Sequence, residues 1–187
     1  MKLMVVFGSS RAGRQGEVVA NWVKSQVSAD DRFEIDYVDL QELKLPFFDE
    51  ASNPFDMASL DEYKNPESGA WAERVQAAEG FIFITPEYNR GIPGVLKNAI
   101  DTVGKPWIGK AAGIISYGGL SGGALATAQL RLIAVELGLF QTTDWIIFAY
   151  FKEAFDEHGQ PQRADYYSAK IKKMLDNLLH LHSRFQR

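Results

Sequence analysis

Short runs of apolar residues alternate along the chain with longer segments in which apolar residues recur every three or four positions. The short runs predict buried strands and the longer segments predict amphipathic helices. The predicted strands are 3–7, 33–40, 80–85, 110–117 and 142–150, and the predicted helices are 17–27, 93–103, 121–139 and 164–185. Strands separated by helices favour a parallel sheet covered on both faces. We therefore expect an α/β three-layer sandwich around a doubly wound, five-stranded parallel sheet.

Helix starts and one long connection can also be predicted. Pro93 suits the first turn of the helix at 93–103, because its missing N–H has no partner to lose there. Ser121 is placed to cap the helix at 121–139 with its side-chain oxygen. The segment 43–68 is longer than an ordinary connection. Its aromatic residues favour an ordered excursion near a ligand or a partner over a disordered loop.

Composition narrows the class of protein without identifying it. The 187 residues fit a single domain, 1–187, with 46% apolar and 24% charged residues. The net charge of −4 argues against a broad nucleic-acid surface. The chain has no cysteine and 3 histidines, which excludes disulfides and thiolate chemistry and argues against a metal site. No apolar stretch approaches the roughly 20 residues of a membrane span, so we expect no membrane insertion. The absence of cysteine favours an intracellular protein, and we expect a cytoplasmic one.

The break after the first strand has the composition of a phosphate-binding loop, GSSRAGRQGE (8–17). Gly8 and Gly13 have the spacing of the triphosphate-binding G-x-x-x-x-G loop, but an Arg-Gln pair replaces the required Lys-Ser/Thr. Ser10 breaks the dinucleotide-binding G-x-G-x-x-G pattern. Serine hydroxyls, arginine side chains and the N–H groups of the following helix still suit a compact phosphate monoester. The alternative is a strand-to-helix turn with solvated arginines.

Two further loops would meet this one at the same edge of the sheet. In a doubly wound sheet of order 2-1-3-4-5, ligands bind beyond the carboxyl ends of the strands, where the order reverses. The loop TPEYNRG (85–91) offers Tyr88 as a stacking face and Asn89 for polar edges, although alone it could be an ordinary proline-containing turn. The loop SYGGLSGG (116–123) has glycines that let the backbone approach a planar ligand. Together the three loops fit an elongated ligand with a phosphate at one end and a flat ring system at the other. FMN has this shape.

These segments also resemble a known family. GSSRAGR (8–14), PEYNRGIPGVLKNAID (86–101) and SYGGLSGG (116–123) have the order and spacing typical of the NADPH-dependent FMN reductases of flavodoxin-like fold, which include quinone, azo-dye and chromate reductases. The resemblance extends over nearly the whole chain. It implies that the FMN phosphate is held by Ser9, Arg11, Gln15 and Gly16, that the isoalloxazine is lined by Pro86, Glu87, Tyr88 and Asn89, and that its far edge lies near Ser116, Gly118 and Gly119. Many members carry a serine at the position of Gly16, where this chain can offer only a backbone N–H.

The resemblance implies an oxidoreductase that uses NADPH or NADH as electron donor. Hydride would pass from nicotinamide to bound flavin and then to a small-molecule acceptor, such as a quinone, a flavin or an azo compound, by a ping-pong mechanism. No side-chain acid or base is required, so no catalytic residue is predicted. A non-enzymatic electron carrier of flavodoxin type is an alternative with the same fold, although such carriers tend to be more acidic than a net charge of −4.

A hydrolase is the alternative from a different class. The segment GLSGG (119–123) satisfies the G-x-S-x-G pattern, and Asp144, Asp156 and His158 follow Ser121 in the required chain order. The fourth strand is predicted to end too early for a sharp turn at Ser121, however. Asp156 and His158 are also too close together in sequence to act as separate members of a triad. These two points favour the helix-cap role for Ser121.

The helix at 121–139 carries more apolar residues than one contact with the sheet needs. They include Leu125, Leu130, Leu132, Ile133, Val135 and Leu137. The excess indicates a second buried surface, and the family resemblance implies dimers that sometimes pair into tetramers. We therefore expect a homodimer or homotetramer with the flavin site near the interface. The aromatic segment at 47–63 would then reach a neighbour's site.

Overall fold

The computed structural model of the protein describes residues 1–185 and is built on a five-stranded sheet. Its strands are β1 (Lys2–Phe7), β2 (Glu34–Asp39), β3 (Gly80–Pro86), β4 (Ala111–Tyr117) and β5 (Phe140–Phe148). Every neighbouring pair is parallel, and the order is β2-β1-β3-β4-β5. The predicted sheet and its order are therefore confirmed, with small shifts at the strand ends. The order reverses beside β1, where β3 pairs with its other edge.

Seven helices and two short 3-10 turns connect and cover the strands within the described residues. They are α1 (Glu17–Ser28), α2 (Leu40–Leu43), α3 (Pro66–Ala77), α4 (Gly94–Asp101), α5 (Ala124–Glu136), α6 (Phe151–Ala154) and α7 (Ala164–Phe185), with 3-10 turns at Leu60–Glu62 and Lys105–Trp107. Helix α3 was not predicted. Its start signals are present, because Asn65 accepts hydrogen bonds from the N–H groups of Glu67 and Ser68 and Pro66 occupies the first turn. Among residues 1–185, no helix has the length and apolar character needed to cross a membrane.

The core lies on both faces of the sheet, because successive side chains of a strand point to opposite faces. Strand β3 is buried at all of its positions. Phe81 and Phe83 pack with Trp107 on the face covered by α3, α4 and α5. Ile82 and Ile84 belong to the cluster formed with α1 and α7 on the other face. A central strand buried on both faces fixes the positions of the loops at its carboxyl end.

The predicted starts of α4 and α5 are wrong in detail. Pro93 is the N-cap residue of α4 rather than a residue of its first turn. Helix α5 begins at Ala124 and its N-cap is Gly123, with a φ of 89°, so Ser121 is not the cap. Glycine is required at position 123, because an added Cβ would lie 2.7 Å from the Cβ of Ser116. The first N–H groups of α5 are instead bound by a side chain from another loop, described below.

The segment 43–68 is ordered and packs on the face that carries α3 and α4. Met57 is buried, and Phe55 and Tyr63 pack against the core. Asn98 of α4 donates to the carbonyl oxygen of Pro46 at 2.8 Å and accepts from the N–H of Phe48 at 3.1 Å. Two hydrogen bonds from one helical side chain therefore fix the start of this segment to α4.

Candidate functional site

A cleft of about 240 Å³ lies at the carboxyl edge of the sheet, between the loops that follow β1, β3 and β4. Its lining residues are Ser9, Arg11, Arg14, Gln15, Gly16, Pro86, Glu87, Tyr88, Tyr117, Gly118, Gly119 and Phe151. All but two of the residues implied by the resemblance are in this set. The exceptions are Asn89 and Ser116. No residue of the segment 43–68 is in the set, so the expectation that this segment lies near the ligand is not supported within one chain.

The first loop is held in shape by Arg14. Its guanidinium donates to both carboxylate oxygens of Asp39 at the end of β2, at 2.7 Å for Nη1 to Oδ1, and also to the carbonyl oxygen of Ser9. Both side chains of this ion pair are buried, with 7% and 9% of their surface exposed. The hydrogen bond to Asp39 raises the pKa of Arg14. Arg14 therefore anchors the loop, and its charge is largely neutralised before any ligand binds.

Arg11 is the free cation of the first loop. Its side chain is exposed and makes no hydrogen bond with any residue of the described part of the chain. The neighbouring helix α1 starts at Glu17 with Gly16 as its N-cap, and no side chain caps it. The N–H groups of a first helical turn have no partner within the helix. An anion in the cleft can therefore bind Arg11 and these N–H groups together.

The carboxylate of Glu87 has a structural role, because its oxygens already accept hydrogen bonds from other protein groups. Its carboxylate accepts hydrogen bonds from Ser121 Oγ at 3.0 Å, from the N–H of Leu125 at 2.9 Å and from the N–H of Ala126 at 3.3 Å. A carboxylate at a helix N-terminus satisfies free N–H groups and interacts favourably with the helix dipole. Glu87 thus caps α5 from the loop after β3. This contact, which sequence spacing could not show, replaces the predicted cap by Ser121.

Tyr88 and Asn89 belong to a tight turn. Tyr88 and Gly91 exchange backbone hydrogen bonds of 2.9 and 3.1 Å, and the two residues between them, Asn89 and Arg90, have φ values of 50° and 67°. Positive φ at both central positions is typical of a type I′ turn. The Tyr88 hydroxyl lies 3.0 Å from Ser9 Oγ and so connects this turn to the first loop. Asn89 is exposed at the tip of the turn.

The loop after β4 is fixed by the chain that follows β5. Gly118 donates to the carbonyl oxygen of Phe148 at 3.2 Å, and the carbonyl oxygens of Gly118 and Gly119 accept from Phe151 and Tyr150. Ser116 is fully buried and donates its hydroxyl to the carbonyl oxygen of Gly122 at 3.0 Å, so it does not face the cleft. Both glycines line the cleft, and a Cβ added to the exposed Gly119 would meet no atom within 4 Å.

Two aromatic residues that line the cleft, Tyr117 and Phe151, were not among the predicted cofactor-binding residues, although the sequence places Tyr117 at this edge of the sheet. Tyr117 is 3% exposed, and its ring packs against Phe7 and Phe151 with centroid distances of 6.4 and 5.1 Å. Strand alternation could have identified Tyr117, because it points to the face opposite Ser116. Phe151 had no comparable signal, since it reaches the cleft from the short helix α6 after β5.

The serine, aspartate and histidine residues of the alternative hydrolase are not brought together by the fold. Ser121 Oγ donates to Glu87, whereas the Asp144 carboxylate accepts from Lys173 at 2.8 Å and from the side chain of Asn177. The imidazole of His158 is exposed and its nearest charged partner is Glu157. The Ser-His-Asp arrangement that nucleophilic attack needs is therefore missing at Ser121 among residues 1–185.

A larger cavity, of about 370 Å³, lies near the start of β4 at the opposite edge of the sheet. Lys105 and Lys110 line it, but their ammonium groups are bound to backbone carbonyls. Lys105 donates to the oxygen of Met57 at 2.7 Å, and Lys110 donates to those of Val75 and Gln76 at 2.8 and 2.9 Å. The free cation and free helix N–H groups that suit an anion are at the cleft instead.

A parallel sheet of order 2-1-3-4-5 with a cleft where the order reverses defines a flavodoxin-like protein, a fold in which ligands bind at this edge of the sheet. The chain belongs to the NADPH-dependent FMN reductase family, whose profile matches residues 1–153. It is 38% identical to an NAD(P)H-dependent FMN reductase of Schizosaccharomyces pombe, over 71% of this chain and 65% of that protein, so the match spans slightly less than two thirds of this relative. It is also 38% identical to one of Saccharomyces cerevisiae, over 70% of this chain and 72% of that protein.

Two further comparisons agree with this assignment. A 2-hydroxy-1,4-benzoquinone reductase of a Burkholderia species is 33% identical over 74% of this chain and 73% of that protein. Among solved structures, FerB, a flavoenzyme NAD(P)H:(acceptor) oxidoreductase from Paracoccus denitrificans, superposes with a TM-score of 0.70 over 98% of each chain, at 23% identity. At that identity the superposition shows the shared fold.

Proposed function

We propose that residues 1–187 form one FMN-binding domain of a cytoplasmic NAD(P)H-dependent oxidoreductase. FMN, when bound, would supply the redox chemistry, which is hydride transfer from NADPH or NADH followed by electron transfer to a quinone, a flavin, an azo compound or a similar acceptor in ping-pong order. Family membership and the names of the relatives support this assignment. The structural observation that carries it is the convergence of Arg11, the open start of α1 and the backbone of Gly118 and Gly119 on one cleft.

The residues of the cleft fit FMN by their chemistry. A phosphate monoester carries up to two negative charges, and Arg11, the Ser9 hydroxyl and the first-turn N–H groups of α1 are donors suited to it. Tyr88 offers a flat aromatic side chain, and Gly118 and Gly119 let the backbone approach a planar ring. We assign the phosphate to Arg11, Ser9 and the first-turn N–H groups of α1. We assign the isoalloxazine to Tyr88, Gly118 and Gly119. Gln15 and the Gly16 N–H belong with the phosphate, and Pro86 with the ring.

Glu87, Asn89 and Ser116 have supporting roles in this proposal. Glu87 fixes the loop after β3 against α5, and Ser116 fixes the turn at Gly122. Asn89 tolerates the positive φ that the turn after Tyr88 requires. None of the three donates or accepts a proton in the reaction, so the protein's contribution is to bind, orient and stabilise charge.

The absorption spectrum of the protein tests the proposal. The protein reconstituted with FMN is expected to show flavin bands that bleach on anaerobic addition of NADPH and return when a benzoquinone is added. Steady-state rates at several fixed quinone concentrations should give parallel double-reciprocal lines, as a ping-pong mechanism requires. A protein that binds FMN but is not reduced by NADPH or NADH would instead support the electron carrier.

The Arg11→Ala variant tests the phosphate assignment. Loss of one charged hydrogen bond is expected to weaken FMN binding by about 1.5–3 kcal/mol, or about 10- to 100-fold in Kd. Arg184→Ala is the control, because Arg184 is exposed near the end of α7, where Phe185 stacks on Phe140 at the opposite edge of the sheet. Equal FMN affinity of the two variants would contradict the assignment of Arg11.

We also propose that the protein forms a homodimer or homotetramer through α5. On this helix Leu130 and Ala134 are buried against the sheet, whereas Leu132 and Val135 are 75% and 70% exposed. A row of exposed apolar side chains on a helix is typical of an interface. Light scattering at micromolar concentration should give a dimer or tetramer mass, and Leu132→Asp should shift it towards the monomer. A monomeric wild-type protein would contradict this part of the proposal.

A further inference from the structure

The hydroxyl of Tyr117 is a buried donor without a partner. The side chain is 3% exposed, and its Oη makes no hydrogen bond with any residue of the described chain. A buried polar group without a partner is costly, and nearly all such groups in folded proteins are satisfied. Burial raises the pKa of Tyr117, so the phenol keeps its proton at neutral pH and can act as a donor.

This hydroxyl occupies the place where a side chain at position 16 would begin. A Cβ added to Gly16 would lie 2.0 Å from the Tyr117 Oη and 2.2 Å from the carbon that carries it. Gly16 is buried and is the N-cap of α1, so the phenol reaches the start of the helix that holds the free N–H groups. Glycine at 16 and tyrosine at 117 are therefore a matched pair, because any larger residue at 16 would displace the ring.

The surroundings of the hydroxyl are the phosphate-binding set. Ser9 and Arg11 line the same cleft as Tyr117. Burial raises the pKa of the phenol, whereas the nearby Ser9 hydroxyl and the charges of Arg14 and Arg11 act in the opposite direction. Arg14 is bound by Asp39, and the Ser9 hydroxyl pairs with Tyr88. The Tyr117 hydroxyl thus shares the anion-binding end of the cleft with Ser9, which is near enough to lower its pKa but whose Oγ already pairs with the Tyr88 hydroxyl at 3.0 Å.

We infer that the Tyr117 hydroxyl donates a hydrogen bond to the phosphate of bound FMN, supplying from β4 the donor that a side chain at position 16 would otherwise provide. The inference rests on the proposed FMN site and adds one protein hydrogen-bond donor to it. The phosphate of the cofactor is then the hydrogen-bond acceptor of the Tyr117 hydroxyl. Tyr117 acts here as a binding residue.

Tyr117→Phe tests this assignment, with binding of FMN and of riboflavin to the apoprotein followed by quenching of flavin fluorescence. Riboflavin has the same ring system and ribityl chain but no phosphate. We expect the Kd for FMN to rise about 10- to 100-fold, the range for a hydrogen bond to a charged group, and the Kd for riboflavin to stay within about twofold of the wild-type value. Tyr167→Phe is the matched control, because Tyr167 packs in the same core cluster and its hydroxyl lies near the Ile147 carbonyl oxygen. It should change neither Kd.

Stability of the apoprotein separates a ligand role from a structural one. Removing a hydroxyl that has no partner should leave the melting temperature of Tyr117→Phe unchanged or raised, while the shift in melting temperature caused by FMN becomes smaller. An unchanged FMN affinity, an equal loss for FMN and riboflavin, or a destabilised apoprotein would each overturn the inference. Failure of the wild-type protein to bind FMN would instead contradict the proposed function itself.

Discussion

The Asp39→Asn variant tests whether the ion pair with Arg14 holds the loop after β1 in shape. The substitution keeps the size of the side chain and an oxygen that can accept from the N–H of Gln41, which Asp39 binds at 2.9 Å at the start of α2. It removes the charge opposite Arg14, whose guanidinium also lies 4.6 Å from the Phe7 ring. Arg14 would remain buried without its buried counter-charge, and only the exposed carboxylate of Glu17, 3.2 Å from its Nε, would still pair with it.

The expected cost follows from the burial of the pair. Removing one partner of a buried ion pair costs about 3–5 kcal/mol, and we expect about 3 kcal/mol here because 7% and 9% of the two side chains remain exposed. For a protein of this size, 1 kcal/mol corresponds to about 2–4 °C in melting temperature. Asp39→Asn should therefore lower the melting temperature by about 6–12 °C, measured by circular dichroism on the apoprotein.

An exposed ion pair provides the control. Lys97 and Asp101, one turn apart on α4, are 46% and 47% exposed. Because pairs of this kind contribute about 0.5 kcal/mol or less, Asp101→Asn should shift the melting temperature by less than about 2 °C. If Asp39→Asn were no more destabilising than Asp101→Asn, the argument that Arg14 anchors the loop through a buried charge pair would be wrong.

Two further predictions concern the cap of α5 and the effect of alkaline pH. Glu87→Ala should destabilise the protein by about 1 kcal/mol, the usual value for a lost helix cap, whereas Glu87→Gln keeps an acceptor oxygen and should lose less; equal loss in urea unfolding would argue against the cap. Burial raises the pKa of Tyr37 and of Tyr63 from 10.0 to about 12. The unfolded chain therefore releases these protons first, so stability due to both groups is complete below pH 10 and falls as the pH rises towards 12. Urea unfolding between pH 9 and 11.5 should show a smaller decline in a Tyr37→Phe/Tyr63→Phe variant than in the wild-type protein.

The sheet could be predicted because its strands are strongly apolar, and β3 in particular is buried at every position. Helix α3 was missed because its buried stripe is short, with Trp71, Ala72 and Val75 as its large or apolar members. Its cap by Asn65 was the available signal. Periodicity is thus informative for central strands and weak for a helix with a narrow apolar face.

Within the site, the loops were predictable and the partners of their side chains were not. Arg11 and Arg14 lie in the same loop, and nothing in the local sequence shows which of them forms an ion pair. Only the pairing of β1 with β2 brings Asp39, 25 residues away, next to Arg14. Glu87 likewise reaches α5 across 38 residues. Such contacts depend on tertiary structure, whereas a glycine- and serine-rich break after a strand depends on local sequence alone.

The position of Glu87 couples two equilibria, the binding of the cofactor and the association of subunits. Its carboxylate connects the loop that carries Tyr88 to the first turn of α5, and α5 also carries the exposed Leu132 and Val135 of the proposed interface. If association of subunits stiffens α5, it also stiffens one wall of the cleft. Thermodynamic reciprocity then requires that the cofactor strengthens association by the same factor by which association strengthens cofactor binding. Dilution of the assembled protein should accordingly release FMN.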